Sequence, residues 1–129
     1  MWPPGVEDVA SFFRAAGVEA RLEELAVGEE SFPGPRVVAE AFDCDRRLVV
    51  VLVPGDRVAD PGRLGCVTAV RVVPPAFPFA RARTYADRTL FSERTVWVEA
   101  GSPRHVAGLS PAQLVRLTRA QTGDFVAET

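Results

Sequence analysis

The chain has 129 residues, 47% of them hydrophobic, with 15 basic against 17 acidic side chains for a formal net charge of −2. That length suits one domain built on one core, residues 1–129. The composition excludes a disordered chain, and the charge excludes a global nucleic-acid footprint.

In chain order, Asp8 is placed to cap a helix over 9–16, with Val9, Phe12, Phe13 and Ala16 on one face and Gly17 at its end. "VEARLEEL" (18–25) alternates apolar and charged residues, as a half-buried strand does. After the loop "VGEESFPGP", Pro35 stands where a helix start tolerates it, and "RVVAEAF" reads as two helical turns. "DCDRR" turns the chain into "LVVVLV" (48–53), a buried strand by its length and β-branching. Asp60-Pro61 suits one short helical turn, and "CVTAVRVV" (66–73) reads as the next strand. "PPAFPF" (74–79) is a proline-stiffened loop. Strands are expected near 82–86, 94–100 and 105–108. Ser110, Pro111 and Gln113 form a capping-box pattern opening a last helix, with Leu114 and Leu117 facing inward. This order implies an α+β fold with a curved, mixed, mostly antiparallel sheet flanked by helices.

No apolar run approaches the roughly 18–20 residues of a membrane span. "MWPPGVED" carries neither the basic region nor the apolar core of a signal, so a cytoplasmic protein is expected. Cys44 and Cys66 form no CxxC and are expected as reduced thiols. With a single histidine, no zinc site assembles by spacing, and neither a metal nor a cofactor is expected. Lysine, asparagine and isoleucine are absent, as GC-rich codon usage favours. Residues 71–104 carry six arginines against three acidic residues. That excess is either a phosphate-binding patch or a solvated surface.

Several stretches, taken in order, resemble the YbaK/prolyl-tRNA synthetase-associated domain: "VASFFRAAGVEARLEEL", "VVAEAFDCD", "LVVVLVPGDRVADPGRLG", "TYADRTLFSERTVWVEAGSPRHVAGLSPAQLVRLTRA" and "GDFVAE". The resemblance implies a curved mixed sheet with flanking helices. It also implies hydrolysis of the ester of mischarged tRNA, such as Ala- or Cys-tRNA(Pro), by a domain that is attached to a synthetase or freestanding and editing in trans, with aminoacyl-tRNA and a synthetase as its partners. The need is physical: a synthetase pocket rejects a near-isosteric amino acid by only about 1–3 kcal/mol, so a second site clears the errors. The family carries a lysine in a stretch like Lys-Thr-Leu-Val. Here that stretch is either "RRLV", with Arg46 in the lysine's place, or is deleted, and deletion fits the following strand better. The family's Gly-x-x-x-Pro loop corresponds to "RVVPP", with Arg71 in place of the glycine and Pro75 as the proline.

The candidate site residues follow. His105, the only histidine, stands where synthetase-attached members have one; it either orients substrate or water, or is a strand-edge residue bonded to backbone. Asp87 either holds an α-ammonium group or closes an Asx-turn. Gly101 and Ser102 either turn their amides to a ligand or form a turn that needs positive φ. Phe77 and Phe79 either wall an amino-acid pocket with Pro75 or pack in the core. Arg46 is the nominal catalytic cation, and Arg81, Arg83 and Arg104 are the candidate tRNA contacts. Cys44 lies between two aspartates that disfavour a thiolate nucleophile. Beside the deacylase reading stand a catalytically impaired relative that binds aminoacyl-tRNA or an amino-acid-like ligand, and a protein-docking module. A cleft between "PPAFPF" and the Gly101 turn separates the first two from the third.

Overall fold

The computed structural model describes residues 2–29 and 31–128. Helix α1 (Pro4–Ala15) starts earlier than the Asp8 cap implied, with Pro3 as N-cap and Pro4 in the first turn, where a missing N–H costs nothing. Its buried residues Val6, Val9, Ala10 and Phe13 keep the helical spacing read from the sequence.

The strands are β1 (Arg21–Glu24), β2 (Val37–Cys44), β3 (Arg47–Pro54), β4 (Ala69–Val72), β5 (Arg83–Asp87), β6 (Val96–Ser102), β7 (His105–Leu109) and β8 (Gln121–Gly123), with helix α2 at Pro111–Thr118. They form two sheets, one ordered β1-β7-β6 and one β4-β2-β3-β5-β8. The smaller is antiparallel throughout. In the larger, β2 pairs antiparallel with β3 and β4, while β5 runs parallel to β3 and β8. The α+β class and the mixed, mostly antiparallel pairing are as expected, but the pairing is divided between two sheets.

Strand β3 is the middle of the larger sheet, and Val49 to Val53 are 0–4% exposed. Val50 and Leu52 pack with α1, α2 and the β6–β7 hairpin. Val49, Val51 and Val53 pack with Phe42, Phe125 and Val126 on the other face. Burial on both faces explains the unbroken apolar run. The Ser110–Gln113 capping box is present, Ser110 accepting from the Gln113 N–H at 3.1 Å and the Gln113 side chain from the Ser110 N–H at 3.1 Å. Asp60 caps a 3-10 turn at Pro61–Leu64. Among the described residues no helix is long and apolar enough to cross a membrane.

Two expectations are corrected. Residues 36–42 are not a helix but the start of β2. Val37, Ala41 and Phe42 are buried on opposite faces of the sheet, so the strand loses the alternation that would mark it, and its 37-38-41-42 apolar spacing mimics a helix. The cysteines are not free thiols: Cys44 and Cys66 form a disulfide, with Cα atoms 5.4 Å apart. The β2–β4 register sets Cys44 opposite Ala69, three residues beyond Cys66, which places the two sulfurs together. The brief β8 carries no periodicity and was not expected.

Leu114 is fully buried in the main core. Leu114→Ala is expected to destabilise the fold by about 2–5 kcal/mol in urea denaturation. A loss under about 1 kcal/mol would mean that α2 does not lock this core.

Candidate functional site

The start of β2 lies at the seam between the sheets and is held from both sides. The Trp97 N–H donates to the Pro35 carbonyl and the Gly55 N–H to the Arg36 carbonyl, each at 2.8 Å. Arg36 and Trp97 form an isolated parallel bridge, the β-type link between the sheets. Gly34 and Gly108 flank the Trp97 indole: a Cβ would come within 2.9 Å of it at Gly34 and 2.7 Å at Gly108.

Along this seam opens a cavity of about 470 Å³, within the size range of small-molecule sites. Its walls are Arg36 with Val37 to Ala39 of β2, the loop Val73–Phe77 with Phe79, Val98 and Glu99 of β6, and the turn Gly101–Pro103. The cleft between "PPAFPF" and the Gly101 turn therefore exists. The lining is mostly apolar, with Arg36 and Glu99 as its charged groups and the Ser102 hydroxyl as a polar one. Arg36 stacks on Phe32 at 4.7 Å from the ring centroid and has no salt bridge among the described residues. It is a cation of the cavity lining that the sequence reading did not single out. Taking 36–42 for a helix hid it, and so did treating the strand before β3 as deleted. A strand preceding β3, the one treated as deleted, is therefore present as β2, and Arg36 stands immediately before it.

The other candidates divide. Gly101, Ser102, Pro75 and Phe77 line the cavity. Gly101 has φ of 91°, and a Cβ there would strike the Gly5 carbonyl at the start of α1, so glycine is required twice over. Phe77 and Phe79 serve both readings, since they are core residues in edge contact with each other and also form the cavity wall. His105 is buried on β7 and does not line the cavity, but its Nδ1 lies 2.6 Å from the Ser102 Oγ, which does. Its Nε2 is 3.9 Å from Glu24, and Trp2 meets the ring edge-on.

Asp87 is buried away from the cavity. It accepts from the Thr89 N–H at 3.1 Å, from the Thr89 hydroxyl and from the Phe125 N–H at 2.8 Å. These bonds close an Asx-turn and tie the C-terminal segment to β5. Burial alone would raise its pKa, but the hydrogen bonds from Phe125, Thr89 and Val126 outweigh burial and hold it below the ordinary carboxylate value. Arg46 sits exposed in the β2–β3 hairpin, at the far end of β2. The strand from Ala39 to Cys44 alone spans five steps, roughly 17 Å at strand rise. Arg71 pairs with Glu40 and lies over Phe42, so its side chain does not crowd the cavity. Arg81 and Arg83 line one groove together with Arg119. Arg104 lies elsewhere, bound to Glu24 at 3.1 Å and to the Leu25 carbonyl at 3.0 Å. Among the described residues no cluster of histidine, cysteine and acidic side chains has the makings of a metal site.

No protein-family model matches the chain, and no curated protein matches it by sequence. Solved structures do match by fold. A candidate trans-editing enzyme for prolyl-tRNA synthetase superposes with a TM-score of 0.83 at 19% identity, over 99% of this chain and 100% of that one. The chain has the YbaK-like fold. A scaffold protein used for computational epitope grafting matches equally well, with a TM-score of 0.83 at 22% identity over 99% and 100% of the two chains. The same YbaK-like fold makes up 31% of a candidate signal transduction protein from Marinobacter aquaeolei VT8, matched over 99% of this chain at 15% identity and a TM-score of 0.71.

Asp87→Ala should cost about 1–3 kcal/mol at pH 7, because it leaves buried donors unpaired. A lowered folded-state pKa contributes stability that is complete above the unfolded carboxylate value near 4 and is lost as pH falls through the lowered one. The gap between wild type and variant in urea melts should therefore narrow below about pH 4. A gap that stays constant down to pH 2 would mean that the Asp87 charge contributes nothing.

Proposed function

We propose that this protein hydrolyses the ester bond of mischarged aminoacyl-tRNA, acting in trans to a synthetase, with Ala- or Cys-tRNA(Pro) as the substrates that the resemblance implies. The observation that carries the reading is the cavity at the sheet seam, sized for an aminoacyl group and lined by the exposed Arg36, which has no salt bridge among the described residues. Its apolar walls suit a small side chain. Glu99 offers a carboxylate to the α-ammonium group, and Arg36 offers a guanidinium to the ester carbonyl. Attack by water moves negative charge onto that carbonyl oxygen. A cation already in place there lowers the barrier without reorganising. The water oxygen bonds to the carbonyl carbon, the ester C–O bond breaks, and the proton that the water gives up ends on the departing ribose oxygen. Ser102, held by His105 behind the wall, is placed to position the water.

The second reading, a relative that binds aminoacyl-tRNA or an amino-acid-like ligand without turning it over, rests on the identity of the cation. Arginine stays protonated and presents a planar fork, so it cannot exchange a proton as a lysine does.

Single-turnover hydrolysis of Ala-, Cys- and Ser-charged tRNA separates the two. Arg36→Ala is expected to slow the reaction by about 10²–10³-fold, the cost of losing an oxyanion donor. Arg36→Lys should retain part of the rate, and Arg46→Ala all of it. His105→Ala should act through Ser102 and cost less than Arg36→Ala. Binding without turnover by the wild type would establish the second reading. Rapid turnover that survives Arg36→Ala would remove Arg36 from the chemistry.

A further inference from the structure

We infer that the groove lined by Arg81, Arg83 and Arg119 binds the phosphodiester backbone of an RNA strand whose 3′ end enters the neighbouring cavity; the inference rests on the deacylase reading for the identity of that strand. The groove has a volume of about 610 Å³ and runs between the segment Pro78–Thr84 and the end of α2 with Gln121 of β8. None of its lining residues is acidic, and among the described residues none of its three arginines has a salt bridge. By contrast Arg104, Arg88 and Arg71 are each occupied by an acidic partner. Three exposed guanidinium groups around one concave surface, with no counter-charge built in, need an anion with several negative groups in a row.

The backbone is shaped to present them. Phe79, Arg81 and Arg119 are non-glycine residues at positive φ, at 64°, 71° and 57°, and all three line this groove. Such conformations cost energy and persist where surrounding structure enforces them. Here α2 ends on Arg119 in the left-handed conformation, and the turn after "PPAFPF" ends on Arg81.

The connection to the site is Phe79. This one buried residue lines both the 470 Å³ cavity and the groove. A strand that places its esterified terminal ribose against the loop Val73–Phe79 would thus continue past Phe79 onto the arginines. Of the six arginines in residues 71–104, Arg71, Arg88 and Arg104 are paired, Arg94 lies away from the groove, and Arg81 and Arg83 join Arg119 from outside that window.

The test uses the full chain and deacylated tRNA, with affinity measured against salt concentration. Three phosphate contacts to a single strand should give a log-affinity slope of about −2 that is lost in Arg81→Ala/Arg83→Ala/Arg119→Ala. The matching triple lysine variant should restore the slope. Arg47→Ala/Arg94→Ala, which removes two arginines from other parts of the surface, should keep it. Circular dichroism melts of each variant verify that the fold is intact. An unchanged slope in the triple alanine variant, or no tRNA binding by the wild type at low salt, would overturn the groove assignment whatever the hydrolysis assays show. Tighter binding of ATP than of tRNA with the same arginine dependence would make this a nucleotide site and overturn it too. Hydrolysis of a minimal aminoacyl-adenosine ester should be unaffected by the triple alanine variant. If that reaction is lost, the arginines act in the cavity rather than on the backbone. Failure of the wild type to cleave any ester, with the salt dependence intact, would instead remove the deacylase reading and leave a strand-binding groove.

Discussion

The architecture depends on how residues 35 and 36 are shared between two sheets. The Pro35 carbonyl is committed to Trp97 of β6 and the Arg36 carbonyl to Gly55 beyond β3. Between the named strands of the two sheets the β-type link is the isolated Arg36–Trp97 bridge. The gap beside the junction is the cavity, and its wall is completed by a loop too rich in proline to form a strand. The indole of Trp97 fixes the spacing, and glycines at 34 and 108 let the backbone lie against it.

The same junction sets the electrostatics. Most arginines near acidic residues are paired on the surface, where such pairs contribute little to stability. Arg36 is held at the seam by its own backbone and by the face of Phe32, and so keeps its charge available. Asp87 and Glu40 are the opposite case. Buried and hydrogen-bonded to backbone N–H groups, they hold the C-terminal segment and the Ala59 turn against the larger sheet. Their charges are spent on structure, which leaves the cavity with Arg36 and Glu99.

A fold shared with a candidate editing enzyme, an epitope scaffold and part of a candidate signalling protein shows how little fold fixes function. What separates those uses is the chemistry at the seam and on the surface beside it. In this chain the seam carries an arginine, a glutamate and a serine backed by the only histidine. The adjoining groove carries three arginines that have no salt bridge among the described residues.

Local signals determined the elements whose physics is local. The 3.6-residue spacing of α1, the Ser110 capping box, the Asp60-Pro61 turn and the β-branched run of β3 were all legible in the sequence. So was the ordered set of stretches that resemble YbaK domains, and with it the turn Gly101-Ser102 and the loop containing Pro75 and Phe77. Only the tertiary structure decided the rest. A strand buried on both faces has no alternation to read, so β2 passed for a helix, and Arg36 beside it was not weighed as a cavity residue. The disulfide depended on the β2–β4 register, and the grouping of Arg119 with Arg81 and Arg83 on where α2 ends. Each is a contact between residues distant in the chain, and periodicity reports only a residue's relation to its near neighbours.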